Sequence, residues 1–390
     1  MIANLVLLYP FILVLVSTII GRFKVSKFLN FLIGLTVIFI TSIITQEAVQ
    51  YINPGDYVVY KKIFDLCTSI KDCYAYSPFE NGFTFIIGFL REYLNISGFE
   101  VWSIINFTNL VLITIISNNI SNYFSKEEKF LSIQTFIIAF TFPSFLLVSI
   151  RAGLAFLIIS FLLIDAIKNN EKGLHIFFNS KNLFLVILAI TIHIQSITLA
   201  IFAIIFLIIK DNYIINADTN FAPKLLKGLI SKKLILILFG IISLIFVLYF
   251  NYSEITRLIG KSYYHFGVRR EQTLGIRTLV DQLIIITIIT PSVLSSNFYI
   301  NNLVFRKFFK TFVFFQIGTI TIYYLILFVL GIDGFARQCQ YNFLAFLLTY
   351  MLLNKKFTIL GYLPILYSVF TIYYTFSSDT NFKILDFNLL

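Results

Sequence analysis

The chain has 390 residues, of which 58% are hydrophobic and only 13% charged, with a formal net charge of +11 at neutral pH. Soluble domains run at about 45–50% apolar and about 25% charged, so this composition excludes a water-soluble globular protein and makes lipid the missing solvent. The excess of cations does not call for nucleic acid, because in a membrane protein the side on which each cation falls matters more than their sum.

Apolar runs long enough to cross a bilayer recur along the whole sequence, each near the roughly 20 residues that span ~30 Å as a helix. Ile2 to Ile20 comes first. It lacks a basic segment ahead of it and is followed by Arg22, Lys24 and Lys27, so it reads as a span and not a secretory signal. Short loops rich in Lys and Arg mark the cytoplasmic side, which places this basic loop inside and the N-terminus outside. Phe28 to Thr45 then leads into a long outer loop, Gln46 to Phe99. Within it, Phe79 to Leu94 carries Phe83, Ile86, Ile87, Leu90 and Leu94 on one face, with Glu80, Arg91 and Glu92 elsewhere, the pattern of a helix lying at the interface. Cys67 and Cys73 share this loop, on the oxidising side in this threading, where a small disulfide can form but is not established by sequence, whereas Cys339 has no evident partner.

Spans at Val101 to Ser117, Phe130 to Ser149 and Ala152 to Ile167 follow, with Lys126 and Lys129 inside and a tight outer turn at Arg151. The next two basic loops, Lys168 to Lys181 and Lys210 to Lys233, both read as inside, yet only one apolar run, Leu183 to Ile209, separates them. An even number of crossings is required. A helical hairpin with His193-Ile194-Gln195-Ser196 at its apex meets that condition, each arm covering only ~20 Å, so it is re-entrant or sits in a thinned bilayer.

Beyond it come Leu234 to Phe250, a second large outer loop from Asn251 to Arg277, and spans at Thr278 to Ser295, Thr311 to Leu330, Tyr341 to Leu353 and Phe357 to Tyr374. The fold class is therefore an all-α polytopic integral membrane protein with about 11 to 12 transmembrane helices, residues 1–390 forming a single transmembrane domain with larger outer loops at 46–99 and 251–277.

Arginine and lysine separate across this threading. Arg91, Arg151, Arg257, Arg269, Arg270, Arg277 and Arg337 fall outside, leaving Arg22 and Arg306 inside, while most lysines fall inside. Orientation needs positive charge but not a guanidinium, so the segregation calls for a ligand that a planar fork can grip, such as phosphate. The alternative for any one arginine is headgroup contact. Arg151 is the sharpest case, being an ionisable group at a turn near the membrane with no acidic neighbour in sequence. The 46–99 loop is acidic on balance and interleaves Asp56 and Glu80 with Tyr57, Tyr60 and further tyrosines. Carboxylates accept hydroxyl hydrogen bonds and ring faces pack on sugars; the competing view is an interfacial aromatic belt.

The order of these segments resembles the EpsG-like and O-antigen polymerase (Wzy) families of polysaccharide-assembly membrane proteins. The likeness rests on Asp56-Tyr57-x-x-Tyr60, Glu80-Asn81-Gly82-Phe83, Arg151-Ala152-Gly153-Leu154-Ala155, His193-Ile194-Gln195-Ser196 and the late outer loop with Arg337. Where many relatives have Arg-Gln-x-Leu-Ala, this chain has Arg-Ala-Gly-Leu-Ala. The resemblance implies a bacterial inner-membrane glycosyltransferase that joins undecaprenyl-pyrophosphate-linked oligosaccharides on the outer face, building O-antigen, capsule or exopolysaccharide. A flippase and a chain-length regulator are its implied partners.

Arg151, Arg269, Arg270, Arg277 and Arg337 are then the expected pyrophosphate ligands and Tyr57 and Tyr60 the sugar contacts, with His193, Asp56 and Glu80 as rival general bases. No cofactor or metal is expected. The sequence has no glycine-rich phosphate loop, no dinucleotide fingerprint, and three histidines, His175, His193 and His265, that are widely scattered. A lipid-linked oligosaccharide flippase should lack a large structured outer loop and show internal repeats, of which none is evident. A ligase or a transferase using a lipid monophosphate donor would place an acidic motif after the first span, where this chain is short and basic.

Overall fold

A computed structural model of the chain describes residues 2–21, 26–52, 55–124, 130–147, 149–168 and 179–193, with Ser196 and Ala200. Among these residues the structure is helical and contains no strand. The helices are α1 (Ile2–Ile20), α2 (Lys27–Ile52), α3 (Gly55–Leu66), α4 (Ile70–Tyr76), α5 (Asn81–Leu94), α6 (Gly98–Phe124), α7 (Phe130–Thr141), α8 (Ile150–Lys168) and α9 (Ser180–Ile192). Within α2 and α6, Phe28–Gln50 and Gly98–Asn122 are long and apolar enough to cross a membrane, at 23 and 25 residues. The segments expected to follow α9, from the descending arm of the hairpin to Tyr374, lie outside the described residues.

Apolar residues face outward as well as into the core. Leu5, Leu8, Ile12, Leu15 and Ile19 form an exposed stripe on α1, and Phe28, Phe31, Phe39 and Ile43 do the same on α2. Ser17, Thr41, Thr45, Asn106, Asn109, Ser132, Gln134 and Thr135 are buried between helices. Burying a polar group is costly unless it is hydrogen-bonded, and several of these bond from helix to helix. Ser17 and Ser132 each donate to the other's carbonyl, at 2.7 and 2.8 Å, joining α1 to α7. Tyr9 meets Thr41 at 2.6 Å, Asn106 donates to Thr45 at 2.7 Å, and Gln134 donates to Thr114 at 2.9 Å. Polar contacts of this kind, at about 0.6–2 kcal/mol each, hold helices together where lipid removes the hydrophobic drive for association.

Two departures from the expected spans matter for the site. Phe130 to Ser149 is not one continuous α-helix: α7 ends at Thr141 and a π-helical turn occupies Phe142–Leu146. Pro143 is the cause, since it has no N–H to donate and its ring clashes with the preceding turn. The chain then restarts as α8, and Gly153 lets the first turn of α8 lie against the π-turn. A Cβ at Gly153 would stand 2.8 Å from the Cβ of Phe145 and 3.1 Å from its carbonyl oxygen.

The second departure lies in the first large loop, where three helices form instead of one. Ser69 caps α4 by accepting from the Asp72 N–H at 3.1 Å, a contact worth about 1 kcal/mol. Arg91 ties the loop together, its Nε donating to the Cys67 carbonyl at 2.8 Å and its Nη1 to that of Ile96. Phe83, Thr84, Ile87 and Gly88 of α5 are packed inward, while Leu94 at its end is exposed. Phe85, Phe89 and Tyr93 form the exposed side, their rings 6.1 and 5.0 Å apart in succession. Cys67 and Cys73, whose pairing the sequence leaves open, are free, buried thiols. The hydrogen bond between them holds Cys67 below its ordinary value and, with burial, pushes Cys73 up.

The remaining packing aligns the two ends of the bundle. α6 lies against α2, α7 and α8, α8 against α9, and α9 against α5. Because α8 and α9 run antiparallel, Asp165 and Lys181 come within 4.0 Å at one end, and Arg151 and His193 share the other.

Candidate functional site

Three segments far apart in sequence meet at that second end. Glu80 immediately precedes α5, Arg151 is the second residue of α8, and His193 terminates α9. Local sequence sets each position. Ser77, held extended by the Pro78 that follows it, has φ −76° and ψ 128°, and Glu80 sits at the N-cap of α5 with φ −62° and ψ 150°. Arg151 follows the break that Pro143 imposes. At the end of α9, His193 turns to extended backbone, φ −151° and ψ 110°, with its N–H still donating to the Ala189 carbonyl. The Ser196 N–H then donates to the His193 carbonyl at 2.9 Å.

The side chains form a continuous chain of contacts. Arg151 Nη1 donates to Glu80 Oε2, and Glu80 Oε1 lies 3.3 Å from His193 Nδ1. One carboxylate thus bridges a guanidinium and an imidazole, one through each oxygen. The group is almost dry: the Arg151 and His193 side chains are 7% and 5% exposed, and Glu80 is 13% exposed. Aromatic rings exclude water around it. The Arg151 guanidinium lies 4.7 Å from the centre of the Phe79 ring and 5.9 Å from that of Phe83, cation–π contacts that strengthen when desolvated. The edge of the His193 ring meets Phe156 at 5.6 Å.

Gly82 permits this convergence. A Cβ there would stand 2.7 Å from the Cβ of Thr191 and 2.8 Å from its backbone carbon, so α5 and α9 approach as closely as they do only because position 82 has no side chain. Gly82→Ala is therefore expected to separate Glu80 from His193. Overpacking of this kind costs about 1–3 kcal/mol. A lower unfolding temperature together with reduced turnover is the expected result, and both readings unchanged would mean that the two helices are not held so tightly.

The other nominated residues fall in different surroundings. Tyr57 and Tyr60, expected to offer ring faces to a sugar, are buried at 4% and 3% exposure. Tyr57 meets Trp102 edge-on at 5.9 Å, and burial, with the Asp65 charge adding to it, raises its hydroxyl above the ordinary value. Tyr60 packs against Phe64, Phe79 and Phe83 at 5.9, 5.1 and 6.0 Å. Both rings are too apolar to stay in water once a loop of helices can cover them. Tyr60 thereby supports the Phe79 and Phe83 rings on which Arg151 rests. Asp56 is placed on α3, but its side chain is outside what the structure describes, and Arg269, Arg270, Arg277 and Arg337 lie outside the described residues altogether.

From sequence, Phe79 and Phe156 have no assigned role at the site, and Phe83 stands only on the apolar face of its helix and in the Glu80-Asn81-Gly82-Phe83 motif. In an apolar chain with 46 phenylalanines a ring carries little signal, although Phe79 and Phe83 flank Glu80 at helical spacing. No protein-family model, curated protein or solved structure matches the chain.

Proposed function

We propose that the chain is a polytopic membrane glycosyl polymerase of about 11 to 12 spans, its working end on the outer face of a bacterial inner membrane. It joins undecaprenyl-pyrophosphate-linked oligosaccharide repeat units, as the resemblance to the EpsG-like and O-antigen polymerase families implies. The observation that carries this reading is the Arg151–Glu80–His193 cluster: residues nominated separately, for three motifs of that resemblance, lie in one desolvated group.

The chemistry needs one proton acceptor and a means of meeting leaving-group charge. In the proposed step the acceptor sugar hydroxyl attacks the anomeric carbon of the donor. The bond from that carbon to the lipid pyrophosphate oxygen breaks, and the hydroxyl proton passes to a base. Glu80 Oε1 accepts from His193 Nδ1–H, which leaves Nε2 as the atom that takes the proton. Glu80 is then the orienting carboxylate and not a rival base. Arg151 fixes Glu80 through Nη1. A guanidinium has donors enough to meet a carboxylate and a phosphate oxygen together, so the same residue contributes to the pyrophosphate site. Arg269, Arg270, Arg277 and Arg337 supply the remaining positive charge in this reading.

The test is polymerisation in proteoliposomes, with lipid-linked repeat unit extracted from a strain deleted for the chain. Ladder formation by the purified protein is the expected result. A deletion strain that accumulates lipid-linked units only on the cytoplasmic leaflet would instead assign the chain to transport.

A further inference from the structure

We propose that Asn109, on α6, is a positioning residue for Arg151. The inference rests on the reading of Arg151 as part of the working site, and it adds a residue that belongs to none of the motifs. Asn109 is fully buried, and its Nδ2 donates to the carbonyl of Ile150 at 3.0 Å. Ile150 is the first residue of α8 and the immediate neighbour of Arg151. Ahead of it stand the π-turn at Phe142–Leu146 and the non-helical Leu147 and Ser149, so α8 does not continue from α7 and its first turn needs another anchor. Asn109 supplies that anchor from a separate helix, and Gly153 packs closely on Phe145.

Helix-to-helix adhesion does not account for the contact. The Ile150 carbonyl already serves as a helical acceptor at the start of α8, so losing the Asn109 bond orphans no backbone group. The other amide atom, Asn109 Oδ1, is buried and has no protein partner. An amide with one satisfied and one unsatisfied end contributes little to stability, and an apolar side chain of similar size serves packing as well or better. What an apolar side chain cannot do is hold a carbonyl at a fixed point. That carbonyl precedes the one residue whose guanidinium must meet Glu80.

The test is a double-mutant cycle on the full-length chain, with extracted lipid-linked repeat unit as substrate. Asn109→Leu removes the donor and keeps the branched heavy-atom shape. It should leave the unfolding temperature near that of the parent and lower kcat roughly 10- to 100-fold, the scale on which small misplacements act, without a matching change in apparent KM. In an Arg151→Lys background the same substitution should cost little more, because the group it positions is already compromised. Losses that multiply in the double variant, or parent kcat in Asn109→Leu while Arg151→Lys is impaired, would overturn the positioning role alone. Parent activity in Arg151→Lys would overturn the reading of Arg151 itself. Asn109→Ala removes the donor without risk of crowding, and failure of both Asn109 variants to fold would assign the residue to packing.

Discussion

Glu80→Gln is expected to lower polymerisation by about 10²- to 10⁴-fold while also destabilising the fold, because this carboxylate serves two partners at once. Toward Arg151 it supplies the counter-charge for a guanidinium that is only 7% exposed. Removing one member of a buried pair and leaving the other costs about 3–5 kcal/mol. Toward His193 it accepts a proton-bearing nitrogen. The amide of Gln can instead present its own N–H to Nδ1, which moves the imidazole proton to Nε2 and removes the base.

The two effects separate in a second variant. Glu80→Gln combined with Arg151→Met deletes the unpaired cation, so thermal stability should return toward the parent value while activity stays low. Scanning calorimetry and the proteoliposome assay on the same preparations decide it. Should Glu80→Gln unfold at the parent temperature, the Arg151–Glu80 contact would not be the buried ion pair described here.

Much of this arrangement was legible in the chain, though its connections were not. Arg151 was conspicuous as a charge at a tight turn, His193 as a polar break in an apolar run, and Glu80 as an acid beside aromatics. Their partnership was hidden by sequence separations of 71 and 113 residues. Without distances, Glu80 and His193 looked like competitors for one task, whereas a carboxylate and an imidazole in contact divide that task.

Pro143 carried a readable signal for the end of α7 that the hydropathy of the run outweighed. The small helices α3 and α4 escaped because alternating charge and aromatic residues give no clean apolar face. Tyr57 and Tyr60 were nominated for what tyrosine can do on a surface, and burial is decided by neighbours that the sequence does not order in space. The glycines at 82 and 153 stood inside the motifs, yet what each accommodates, Thr191 and Phe145, became visible only from the packing.

His193 offers the sharpest test of the chemistry, because its two nitrogens have different work and one substitution can separate them. The Nδ2 amide of Asn occupies nearly the position of Nδ1 and can donate to Glu80 Oε1, so His193→Asn keeps the contact now seen at 3.3 Å. Nothing in Asn takes the place of Nε2. His193→Asn should therefore fold with the parent unfolding temperature and bind lipid-linked repeat unit normally. Its turnover should fall by about 10²- to 10⁴-fold, the usual contribution of a general base.

His193→Ala should show the same loss of turnover with lower stability, since it also withdraws the contact with Glu80 and the edge packing against Phe156. The pH profile provides a further readout. With histidine as base, parent activity should fall on acidification as Nε2 becomes protonated, and the residual activity of His193→Asn should lack that limb. Parent turnover in His193→Asn, or an acidic limb that survives the substitution, would move the base to a different group and leave Glu80 and Arg151 as a purely electrostatic pair.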